Sequence, residues 1–171
     1  MKGEVVAFWH RCLFLIELGA LDRVLDLYDR EVRPESTDDL LDISNAVALL
    51  WRLEQAGVDV GKRWQELGDR AQRHVDDDLL VFGDVHYLMA PAAAGWADDA
   101  ARMVESMEHY AAESVETEAA VAREPGLGLA RAVLAHRRGD YARVVEELLP
   151  VRDTIRRIGG SMRIAISSRR C

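Results

Sequence analysis

Apolar residues recur along this chain in blocks of helical period, and each block stops at a glycine. Leu13, Leu15 and Ile16 lead to Gly19, after which Leu21, Val24, Leu25 and Tyr28 take the pattern up again. The unit returns around Gly95 and Gly139. Aligned on the glycine, Leu21, Ala97 and Tyr141 coincide at the second following position. Val24, Ala100 and Val144 coincide at the fifth, and Tyr28, Val104 and Leu148 at the ninth. Glycine adopts the left-handed conformation that closes a helix at little cost. A small or medium residue at the fifth position lets two helices approach, and the ninth lies one turn further along the same face. The pattern therefore predicts an all-α fold, a stack of about four helical hairpins. Their turn glycines, at 19, 57, 95 and 139, are spaced by roughly the period of helical solenoids.

The same periodicity sets the elements. A first helix over roughly 4–18 carries Val5, Phe8, Trp9, Cys12, Leu13, Leu15 and Ile16, and is apolar nearly all round, which calls for cover on several sides. A second over roughly 20–32 ends before Pro34. Ser36 with Asp39 resembles a capping box and opens a third through Leu53. Trp64, Leu67, Ala71 and Val75 mark the fourth. Asp76, Asp77 and Asp78 read as caps for a fifth helix over roughly 78–94, kinked or ended early by Pro91. A sixth over roughly 97–114 follows. The seventh, roughly 115–138, is interrupted near Pro125-Gly126-Leu127-Gly128, and the eighth runs from Asp140 to about Ile158 with a kink at Pro150. The helical-repeat domain covers 1–161, and residues 162–171 read as an irregular tail.

Composition narrows the chemistry. A formal charge of −8 argues against nucleic-acid binding, which rests on neutralising phosphates. Cys12 and Cys171 give no disulfide framework and fit a reducing compartment. No apolar run reaches membrane-spanning length, and Glu4, His10 and Arg11 break up the start too early for a signal peptide. The expectation is a cytoplasmic protein with no membrane partner.

Several strings carry a resemblance. Trp9-His10-Arg11 leads to Leu18-Gly19, then Tyr28-Asp29-Arg30-Glu31. Leu49-Leu50-Trp51-Arg52-Leu53-Glu54 precedes Gly57-Val58-Asp59-Val60-Gly61. Phe82-Gly83-Asp84-Val85-His86, Gly139-Asp140-Tyr141 and Ile158-Gly159-Gly160-Ser161 follow. Together they resemble the C-terminal part of the tetratricopeptide-repeat protein 38 family. The resemblance implies a right-handed tetratricopeptide-like solenoid with a concave inner surface, and no established enzymatic activity. It stops after Ser161, where the chain reads as a truncated or altered end.

His10 and His86 each lie nine residues before a turn glycine, at equivalent places on first helices. With Asp42, Asn45 and Asp84 they form the candidate groove patch; the alternative is that the histidines are half-buried and bonded to nearby turns. Asp84 and His86 diverge by about 200° on a helix, and no metal-ligand spacing, catalytic triad or phosphate loop occurs. No metal or cofactor is expected. Gly126-Leu127-Gly128 lacks the preceding strand and third glycine of a dinucleotide fingerprint. The sequence thus predicts a non-enzymatic scaffold or adaptor that holds a peptide or protein partner in its groove. The competing reading is a small-ligand-binding or catalytic protein using the His/Asp patch. Uncapped apolar faces at both ends predict self-association as a homodimer, or cover by the tail through Met162, Ile164 and Ile166.

Overall fold

A computed structural model describes the backbone of residues 2–159 and the side chains from Ala7 onward. The expected boundary at 161, the tail 162–171 and the side chain of Val5 lie outside the described residues. Every regular element among those described is helical. Helix α1 spans Lys2–Glu17, and α2 spans Leu21–Leu27 and is extended by a π turn at Tyr28–Val32. Helices α3 (Leu40–Gln55) and α4 (Arg63–Ala71) form the second hairpin, α5 (Val81–Ala94) and α6 (Ala97–Glu113) the third. Helix α7 (Thr117–Val121), a π turn at Ala122–Gly126 and α8 (Leu127–Arg137) run on without a loop and pair with α9 (Tyr141–Leu148).

The periodic glycines close these hairpins as their positions predict. Gly19, Gly57, Gly95 and Gly139 have φ of 71°, 85°, 83° and 73°. In each turn the residue after the glycine donates its N–H five residues back. Ala20 bonds Leu15 at 2.9 Å, Val58 bonds Leu53 at 3.0 Å, Trp96 bonds Pro91 at 2.9 Å and Asp140 bonds Ala135 at 3.0 Å. This is the Schellman arrangement, which satisfies carbonyls the helix end leaves orphaned. A side chain at these glycines would force a left-handed conformation that L-residues resist.

Other local expectations are corrected. The cap of α3 is Asp39, not Ser36: its carboxylate accepts the N–H groups of Leu41 and Asp42. The three aspartates do not cap α5. Asp78 has φ of 43°, the chain turns there, and the helix begins at Val81, whose N–H donates to Glu118 at 2.8 Å. Pro91 does not end α5, which runs on to Ala94. The proline sits within the last turn, so its missing N–H deprives a single carbonyl. Pro125 is absorbed by the π turn, whose widened ladder tolerates a missing donor. Helix α9 stops at Leu148, before Pro150, and the chain resumes as a short 3-10 turn at Ile155–Ile158.

Packing follows hairpin order. First helices neighbour one another, α1 on α3, α3 on α5, α5 on α8, while α4 lies along α5. Helices α3 and α5 are the centre: Ile43, Val47, Leu49, Leu50, Leu53, Val81, Val85 and Leu88 are all fully buried. Second helices are tied by polar contacts. Arg33 donates to Glu66 at 3.0 Å and Arg63 to Asp29 at 2.6 Å, linking the first hairpin to α4. Large apolar side chains stand out in the first and last hairpins: Phe14 and Leu18 in the one, and Tyr141, Val145 and Leu149 in the other, are each more than half exposed.

Candidate functional site

The C-terminal half of α5 reads Ala90-Pro91-Ala92-Ala93-Ala94. Its short side chains leave room above them, and the ends of α3 and α8 close in from either side. Arg137 at the end of α8 donates to Glu54 of α3 at 2.5 Å and to the carbonyl of Ala93 at 3.2 Å. The second oxygen of Glu54 accepts the indole N–H of Trp64 at 2.9 Å. The guanidinium lies over the Trp51 ring, 5.5 Å from its centre, and the ring of His136 is 5.0 Å from that of Trp51. The second and fourth hairpins therefore touch across the third.

Beside this contact is a cleft of about 710 Å³ lined by Trp51, Glu54, Gln55, Val58, Asp59, His136, Arg137 and Tyr141. That volume lies within the ordinary range of ligand sites. His136 stands between Trp51 and Tyr141, the latter edge-on at 5.8 Å. Burial, and then the Arg137 charge, hold its imidazole below the usual histidine value. Its Nδ1 is buried without a partner. The wall is thus three aromatic rings with a carboxylate and a guanidinium at the base, already paired with each other.

The five residues picked from sequence do not form one patch. His10 is exposed on α1, its ring edge-on to Trp9 at 5.0 Å. Asp42 accepts the hydroxyl of Thr37 at 2.7 Å, and Thr37 in turn holds the buried Arg33. It belongs to the structural tie between hairpins. Asn45 takes the Trp9 indole N–H on its backbone carbonyl at 3.0 Å. Asp84 is half buried near the start of α5; burial, reinforced by Asp78, Glu118 and Asp77, pushes its carboxyl up to about 8. His86 is 4% exposed, so the groove-facing role expected of it does not fit its position. It bonds the carbonyl of Phe82 at 2.7 Å. Because a carbonyl only accepts, Nδ1 carries the proton. Burial is the main cause that pushes the ring down to about 4, leaving it neutral. The physical reason is cover: α5 is packed by α3, α4, α6 and α8, which bury His86, whereas His10 on α1 stays exposed.

Among the described residues no group of three or more His, Cys, Asp or Glu side chains is placed to hold a metal ion. None of the described helices is long and apolar enough to cross a membrane. Cys12 is buried, and that burial pushes its thiol up to about 11, far from the thiolate form a nucleophile needs. No family model matches this chain, and no solved structure matches it.

Proposed function

We propose that this chain is a tetratricopeptide-like right-handed solenoid, related to the tetratricopeptide-repeat protein 38 family, that acts in the cytoplasm as a non-enzymatic scaffold. Its partner's peptide segment lies in the cleft between the second and fourth hairpins. The observation that carries this reading is the cleft itself, with Trp51, His136 and Tyr141 presented beside the Glu54–Arg137 pair. Rigid aromatic rings supply contact area at small entropic cost. Tyr141 is 64% exposed, which is costly on an isolated surface and useful at an interface. The catalytic alternative needs nucleophile, base and orienting group within hydrogen-bond reach. The histidines and aspartates expected to supply them lie apart.

The test is affinity capture from native cytosol with the wild type, Tyr141→Ala, and Leu79→Ala as a surface control. Leu79 is exposed and outside the cleft. The reading expects a protein held by the wild type and the control and lost by Tyr141→Ala at unchanged melting temperature. Equal capture by all three would reject it.

A further inference from the structure

The buried and half-buried arginines of this fold follow one rule with one exception. Arg33 holds Glu66, Arg63 holds Asp29, Arg70 holds Asp38, and Arg137 holds Glu54. Arg52, half buried on α3, has no carboxylate partner among the described residues. Its Nη1 donates to the carbonyl of Ala48 at 2.6 Å, and its guanidinium lies over the Trp9 ring, 5.7 Å from the centre. Its Nε is buried with no acceptor, and Nη2 takes no partner among the described residues. His86 cannot compensate, since an imidazole is either neutral or cationic, and Arg52 itself helps to keep it neutral.

A guanidinium withdrawn from water without an anion is expensive. One carbonyl and one aromatic face return little of that cost. Burial accordingly pulls the Arg52 pKa below the ordinary arginine value. The site lacks a negative charge that its sister sites possess, and the neighbouring Trp9 and His86 add none.

We propose that Arg52 is the anchor for a carboxylate of the bound ligand, held by its half-buried guanidinium where α1 and α3 pack. This rests on the scaffold reading above and names the chemistry its partner must carry: an acidic side chain or a free chain terminus. Nη2 and the second hydrogen of Nη1 form the outer edge of a planar fork, which matches two carboxylate oxygens. A monoanion leaves the half-buried site neutral. A phosphate dianion would leave an uncompensated negative charge there.

The experiment is a nitrogen-edited NMR titration of the intact protein, following the side-chain Nε–H of Arg52 and the indole N–H of Trp9. The probes are acetate, acetamide, inorganic phosphate and chloride at matched ionic strength. Two further probes, N-acetylglycine and N-acetylaspartyl amide, separate chain terminus from side chain. The expected result is a saturable shift of both signals with the carboxylates at millimolar concentration. Acetamide and chloride should give none, and the paired Arg137 should not move. In Arg52→Met the Trp9 response should vanish, and Arg52→Lys should restore part of it. If Arg52→Met does not fold, the wild-type titration still decides through the Arg52 signal itself. A flat Arg52 signal, a linear drift shared with Arg137, or a stronger response to phosphate would overturn the proposal. A carboxylate response without a captured protein would count against the scaffold reading alone. Capture through the cleft without a carboxylate response would count against the anchor alone.

Discussion

The contact between Glu54 and Arg137 is the part of this account most open to measurement. The two residues belong to hairpins that are not neighbours in sequence, so their coupling reports on the closure over α5 and on nothing local. Their side chains are 27% and 25% exposed, with N–O separation of 2.5 Å. A fully exposed pair contributes about 0–1 kcal/mol, and a hydrogen bond to a charged group about 1.5–3 kcal/mol. Three-quarters burial places this pair between those limits. Glu54→Gln keeps an acceptor for Trp64, and Arg137→Met keeps the aliphatic stem over Trp51, so each change removes chiefly the charge interaction. The expected coupling in a double-mutant cycle is about 1–2 kcal/mol, read from urea unfolding of the four proteins. Most of it should survive in high salt, because a partly buried pair is screened less. Coupling below about 0.5 kcal/mol, the level at which distant sites simply add, would refute closure of the second hairpin onto the fourth.

Further outcomes follow from the packing and the titrating groups. A Cβ at Gly126 would lie 2.8 Å from Val81 and 3.2 Å from the backbone oxygen of Val121. Gly126→Ala should therefore destabilise by about 1–2 kcal/mol in thermal or urea unfolding, overpacking outweighing the gain in helix propensity. Gly83→Ala meets closely only the flexible end of Leu40, with the Tyr87 ring at an ordinary contact distance of 3.7 Å, and should be near neutral by the same measurement. Asp84, with its folded-state value raised to about 8, costs stability as pH rises from the ordinary carboxylate range through 8. Asp84→Asn should thus raise stability above pH 8 by about 1–3 kcal/mol and flatten that limb of the pH profile. His86 acts with the opposite sign: its value lowered to about 4 removes stability as pH falls from about 6.5 toward 4, and His86→Gln should weaken that loss. The exposed Val145 on α9 and Leu149 just after it carry the dimer expectation. Light scattering over a concentration series should show association that Val145→Glu with Leu149→Glu abolishes, and a monomer throughout would reject it.

The turn glycines were legible because a left-handed cap is a local demand written in one residue. The burial of Cys12, Val24, Leu53 and Leu67 was legible for the same reason, since helical period shows which face is apolar. What lay beyond reach depended on distance in sequence. Nothing in the string Trp51-Arg52-Leu53-Glu54 says that Arg137 will arrive over it, because that meeting depends on the small residues of a third helix. The alanine-rich end of α5 was visible only as an anomaly around Pro91, whereas in the fold it is the space into which neighbours close. Gly126 and Gly128 read as helix breakers and proved to be points of close approach, Gly128 facing the backbone of Glu147. His10 and His86 share a repeat position yet differ in exposure. One sits on a terminal helix and the other on a central one flanked by α3, α4, α6 and α8. Equal offset from a turn fixes the face of a helix; it does not fix what covers that face. The missing anion at Arg52 was invisible to sequence, since it is recognised only by seeing every other withdrawn arginine paired.

Site-specific photocrosslinking tests the central claim most directly. A benzophenone side chain is placed at position 141, on the rim of the cleft, and in a second protein at position 115, where Val115 is fully exposed and outside the cleft. Both are irradiated in native cytosol. The account predicts a discrete crosslinked partner from position 141 that is absent from position 115 and that is competed away by excess unlabelled wild type. No discrete adduct at 141, or the same adducts from both positions, would contradict it.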